Sequence, residues 1–315
     1  MAPTDPRPTK AQRRDDARAR ALELRKQQER AARRNRLIVL SVVGLAVVGL
    51  IAAVVIVLTQ SKNNATASAD VPFGDGSQSV QPPKIADVTA PSTANTGGGI
   101  PVSAKGVGVA GQGDTTLSIY FDLQCPGCQQ FDSVNSADLK ALAAEPGITV
   151  IYQPLSFLDS QSKGTFYSTR AGNALMVVAD RAPAQFQDFV TALYANQPKE
   201  NTNGRTDEQI ATVATGVGVP ADVIAHFTDT VDGTYTKVGS TTTLNGTWRT
   251  FAPFLSAATD HATEVLTGMG LTGITTPTVV LDGKVVGGQG ASDAGFFYTA
   301  GALAERVRAA AAAKG

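Results

Sequence analysis

The sequence predicts an α/β domain in which strand, helix and strand lead into a helical insertion, a hairpin and a last helix, all behind a single transmembrane helix. Three observations predict it. Thr115–Phe121 and Ile148–Gln153 are β-branched and aromatic runs, with a helical stretch from Cys125 to about Ala143 between them. Leu37–Leu58 is 22 residues long and holds no charge. Asp282-Gly283 joins two short apolar runs as a two-residue hairpin turn.

The chain begins with a basic arm, 1–36, in which twelve Lys or Arg face five Asp or Glu. That is a net of +7, so a chain of zero net charge carries −7 over the remainder. A basic arm on a mildly acidic body does not describe a uniformly basic nucleic-acid binder, and no nucleic acid is expected as a partner. The apolar run 37–58 is about 33 Å long as a helix, which matches a hydrocarbon core of roughly 30 Å. Arg33, Arg34 and Arg36 precede it and only Lys62 follows closely, so the arm is expected in the cytoplasm and the rest outside a cell membrane crossed once. The rival is a signal peptide cleaved near Ala65-Thr66-Ala67; against it stand an apolar run longer than usual and a very long leader. Residues 59–104 are rich in Ser, Thr, Asn, Ala, Gly and Pro and read as a flexible linker.

The folded domain is expected over 105–315. Val107–Ala110 is a candidate first strand, ahead of Thr115–Phe121, the helix and Ile148–Gln153. About 110 residues of mainly helical pattern follow: Phe166–Arg181, Pro183–Asn196, Thr206–Val217, Ala221–Asp229 and Phe251–Leu266. Thr206 and Gln209 fit a capping box. Strands are predicted at Thr278–Leu281 and Lys284–Val286, and a final helix over Ser292–Ala313.

The chain has two cysteines, Cys125 and Cys128, in Cys125-Pro126-Gly127-Cys128. Two are too few for a secreted disulfide scaffold or a four-cysteine zinc site. The first stands where a strand hands over to a helix, so free backbone N–H groups and the helix dipole favour its thiolate. Pro126 suits the first helical turn. Cys128 returns to the same side, within bridging distance. Cys125 then attacks or is attacked, and the more buried Cys128 resolves. A structural disulfide closing two intervening residues would be a poor staple. A metal site would need His226 and His261, which lie far along the chain without ligand-like spacing, so neither a metal nor a cofactor is expected. Downstream, Thr276-Pro277-Thr278 puts a proline at a strand start. It reads either as a plain edge or as a cis Thr276–Pro277 bond whose loop faces the cysteines and offers backbone to a client strand.

The segments FDLQCPGCQQF at 121–131 and TTPTVVLDGKVVGG at 275–288, with the helical insertion between them, resemble the DsbA-like thioredoxin-fold family, in particular its membrane-anchored bacterial form. The resemblance covers about 105–312. It implies a thioredoxin fold, Cys125 as nucleophile, Cys128 as resolving thiol and Pro277 as the cis-proline. Thr276, Pro277, Pro126 and Gly127 are then the residues expected to meet a client. Two departures stand out. Gly127 replaces a frequent His, which predicts a less depressed Cys125 pKa and a less oxidising pair, between about −120 and −270 mV. Ile119 stands six residues before Cys125, where relatives commonly bury an acid; Asp122 lies nearer, as a turn residue open to solvent or turned inward.

The expected function is thiol–disulfide exchange, chiefly disulfide formation, on exported cysteine-containing proteins. It needs a membrane redox partner, for an oxidase a quinone-linked one. The alternatives are an extracytoplasmic reductase or isomerase, a non-catalytic thioredoxin-fold binding module of the envelope, or, more weakly, a nucleic-acid- or lipid-binding protein acting through the basic arm.

Overall fold

The computed structural model describes Phe73, residues 80–288 and residues 295–314. The basic arm, the apolar run 37–58 and the first part of the linker lie outside the described residues. Among the described residues no helix is long and apolar enough to cross a membrane.

A six-stranded sheet carries the domain. Its strands are β1 (Ile100–Ser103), β2 (Gly106–Val107), β3 (Thr115–Asp122), β4 (Ile148–Leu155), β7 (Thr278–Leu281) and β8 (Lys284–Gly287), in the spatial order β2-β1-β4-β3-β7-β8. β3 and β4 are parallel and joined by helix α1 (Pro126–Ala144), while β1–β4, β3–β7 and β7–β8 pair antiparallel. β3 is therefore central and buried along most of its length. Alternation splits its side chains between two faces. Leu117, Ile119 and Phe121 share a cluster with Phe131 and Leu139 of α1 and with Val307 of α7 (Ala302–Lys314). Tyr120 faces the other way, with Val280 of β7 and with Ala262 and Leu266 of α6 (Ala252–Gly268). The result is helices on both faces of a mixed sheet.

The insertion between β4 and β7 supplies α2 (Tyr167–Arg181), α3 (Phe186–Ala195), α4 (Asp207–Gly216) and the single turn α5 (Ala221–Ile224). α4 has the predicted capping box, Thr206 and Gln209 bonding each other's backbone N–H reciprocally. α2 is buried from Tyr167 to Ala179 and forms the core of the insertion. Buried Arg170 on α2 donates to Asp207 at 2.9 Å and to the carbonyls of Thr165 and Arg205 at 2.7 Å, and Arg249 holds the other oxygen of Asp207.

Four expectations need correction. The insertion is not all helical: β5 (Thr230–Thr236) and β6 (Thr243–Arg249) form a two-stranded ribbon between α5 and α6. Its strands are Thr- and Gly-rich and mostly exposed, and Trp248 is the side chain on it that is buried. The fold also starts earlier than 105. Ile100 and Val102 of β1 are core residues, and Val80 bridges to Lys237 at the end of the ribbon. The first predicted strand shrinks to Gly106–Val107, paired with β1. The last helix begins at Ala302, after the left-handed Gly301 and a 3₁₀ turn at Phe296–Tyr298; residues 289–294 of its predicted range lie outside the described residues.

Candidate active site

β3 ends at Asp122, and three residues later Cys125 becomes the N-cap of α1 with Pro126 in the first turn. Two side chains fix this junction. Tyr194 donates to the Asp122 carbonyl at 3.2 Å, and Gln197 donates to the carbonyls of Leu123 and Cys125 at 3.0 and 2.9 Å. Both come from the insertion, which shows what it does for the site: it clamps the strand-to-helix turn that carries Cys125.

The two cysteines are free thiols. Cys125 is 7% exposed and Cys128 1%. The Cys125 thiol donates to the Thr276 carbonyl at 3.2 Å, so the loop before β7 touches the redox motif, and the Thr276–Pro277 bond is cis. Gly127 faces the same loop. A Cβ placed on it would stand 3.3 Å from Pro277 Cδ and 3.3 Å from the Tyr298 hydroxyl, which donates to the Gly127 carbonyl at 3.4 Å. Cys125, Pro126, Gly127, Cys128, Thr276 and Pro277 thus come together in one place. His226 and His261 instead sit at the surface beside Asp229 and Glu264.

The electrostatics separate the thiols. The neighbouring Cys128 thiol, Thr276 and the N–H groups of Cys128 and Gly127 favour the Cys125 thiolate; against the opposing effect of burial they bring its pKa down to about 6. Burial, followed by the nearby Cys125, pushes Cys128 well up. At neutral pH this favours a thiolate at Cys125 and a protonated Cys128. This refines the expectation drawn from Gly127: with no side chain at 127, backbone N–H groups and the second thiol still depress the Cys125 pKa.

Asp122 is the functional candidate that sequence reasoning undervalued. It is no solvated turn residue; it is fully buried. Its carboxylate accepts from Gln124 N–H at 2.8 Å, Leu158 N–H at 3.0 Å and the Ser168 hydroxyl at 2.6 Å. Burial raises its pKa to about 7 despite these bonds, and the Cys125 charge adds to the rise. The buried acid thus stands three residues before Cys125, where six before it the chain has Ile119.

A central β-α-β unit, a Cys-Pro-Gly-Cys motif at the helix start and a cis-proline loop against it define a thioredoxin-type redox domain. Residues 110–294 match the family described as Thioredoxin, and the chain belongs to that family. Over 115 residues it is 36% identical to the serine/threonine-protein kinase PknE of Mycobacterium tuberculosis, covering 35% of this chain and 20% of that one. The chain therefore spans about one fifth of the length of that relative. Among solved structures it is similar to MdbA, a thiol-disulfide oxidoreductase from Actinomyces oris, with a TM-score of 0.49, 22% identity, and 72% of this chain and 96% of that one covered. It is also similar to BdbD from Bacillus subtilis, with TM-score 0.47, 16% identity and coverage of 72% and 100%. A third is DsbA from Mycobacterium tuberculosis in its reduced form, with TM-score 0.42, 19% identity and coverage of 69% and 99%.

Proposed function

We propose that this protein is a DsbA-like thiol–disulfide oxidoreductase, anchored by residues 37–58, that forms disulfides in exported proteins. The observation that carries the reading is the contrast between two thiols in one turn of helix: Cys125 is lowered to about 6 and bonded to the carbonyl of the Thr276 loop, while Cys128 is raised and more deeply buried.

In the oxidising direction a client thiolate attacks Cys125 of the disulfide form. The Cys125–Cys128 bond breaks, a client–Cys125 disulfide forms, and Cys128 leaves as a thiolate that takes a proton. A second client thiolate then attacks the client sulfur and expels Cys125. The client has lost two electrons and its two thiol protons; the pair has gained two electrons. Cys125 is the better leaving group because its thiolate is stabilised, and that same stabilisation favours the dithiol form, which makes the disulfide form oxidising. The family range of about −120 to −270 mV brackets its potential, as thiol pKa values near 3.5 and 7 bracket a value of about 6. Turnover needs a membrane partner, quinone-linked in this reading, to reoxidise the pair.

Redox titration of the full chain against glutathione tests the reading. Dithiol and disulfide forms should interconvert with a single two-electron equilibrium. A pair that stays in one state across the glutathione range would leave a binding module as the better account.

A further inference from the structure

A furrow runs along α1 from the redox motif, between α1 and α3. It consists of a cavity of about 450 Å³ that starts at Pro126 and a smaller one of about 170 Å³ that ends near Lys140; the two share Asp132, Ser136 and Thr191 in their linings. The far end is already neutralised, since Lys140 pairs with Asp188 at 2.7 Å. The middle is not. Asp132 is 6% exposed, and the hydrogen bond to its carboxylate comes from the Thr191 hydroxyl at a long 3.3 Å. A buried carboxylate held by one neutral hydroxyl is poorly compensated, and a cation beside it would be favoured. Burial indeed raises the Asp132 pKa to about 6, with Thr191 only partly offsetting it.

We propose that this furrow selects clients, by taking a Lys or Arg of the segment whose cysteine is bonded to Cys125 and pairing it with Asp132. The inference rests on the exchange reading above. The spacing follows from geometry. Asp132 is seven residues beyond Cys125, which is about 10 Å along a helix axis. An extended client strand covers that in about three residues. The favoured client therefore carries its basic residue about three positions from its cysteine. No new covalent step is involved, since Asp132 acts on the mixed disulfide and on its approach.

The test uses the full chain in its disulfide form and short peptides with one cysteine and, three residues to either side, Lys, norleucine or Glu. Each rate of attack is divided by the same peptide's rate with glutathione disulfide, which removes the effect of the neighbour on the peptide's own thiol. The Lys peptide of one orientation should be favoured over norleucine by roughly fivefold, with Glu below norleucine. In Asp132→Asn the ratio should fall to near one. Ser136→Lys, which places an ammonium one helical turn from Asp132, should do the same and serves if the first variant does not fold. Equal normalised rates in the wild type, or a preference untouched by either folded variant, would overturn the proposal. If the protein exchanges with no peptide and not with glutathione, the redox reading fails and this one with it.

Discussion

The division of labour between Cys125 and Cys128 yields two expectations at the level of single side chains. Cys128→Ala should accumulate mixed disulfides with clients through Cys125, seen as adducts on non-reducing gels, whereas Cys125→Ser should form none. Alkylation of the reduced protein should titrate with a midpoint near pH 6, where Cys125 ionises. The sign of the linkage follows. The Cys125 pKa is depressed on folding, from the ordinary 9.0, so its thiolate stabilises the dithiol form above that value and loses this effect as pH falls through about 6. The stability advantage of the dithiol over the disulfide form should therefore shrink as pH falls from about 9 to about 6, as measured by denaturation of both forms. Asp122 runs the other way. Its carboxyl is raised from 3.8 to about 7, so its effect favours the folded state below pH 4 and is lost as pH rises to about 7. Asp122→Asn should remove that slope, leaving wild type losing a few kcal/mol more than the variant between pH 4 and 7; about 4 kcal/mol is the ceiling for a shift of this size. The cysteines were legible in the sequence because their spacing is itself the chemistry. Asp122 was not, because an acid at a strand end looks the same in sequence whether it meets water or, as here, Ser168 and Leu158 from distant elements.

Among the elements, the capping box of α4 and the two-residue turn at Asp282-Gly283 could be read directly, because local chemistry decides them: Thr206 and Gln209 bond each other's backbone, and Asp282 and Gly283 both have positive φ. The β5–β6 ribbon could not. Its Thr, Gly and Asn give no buried alternation, and it is held by Trp248 against Phe73, ring centroids 4.8 Å apart, and against Tyr235. Such a contact has no signature in either strand alone. The insertion is tied together by Arg170, which joins α2 to the start of α4 and, through Asp207, to Arg249 on β6. Arg170→Ala should cost about 3 kcal/mol in chemical denaturation, because it leaves Asp207 and two carbonyls short of a buried donor. Since the insertion also supplies Tyr194 and Gln197 to the redox turn, exchange should slow in the same variant well before the chain unfolds.

For the whole molecule, the parallel β3–β4 pair with its helix made the α/β class legible, and the exposed ribbon and buried β1 are what the sequence concealed. Removing residues 1–58 should shift the protein from the membrane fraction to the soluble one while glutathione exchange persists, as fractionation and redox titration would show. Where the chain enters the domain has a mechanical consequence. The first described contacts, Phe73 against Trp248 with its carbonyl accepting from Thr169 of α2, and Val80 against Lys237 with Gln81 N–H on the Thr236 carbonyl, are made to the ribbon and the insertion and not to the central sheet. Tension arriving from the N-terminal side therefore loads the ribbon and α2 before it reaches β1.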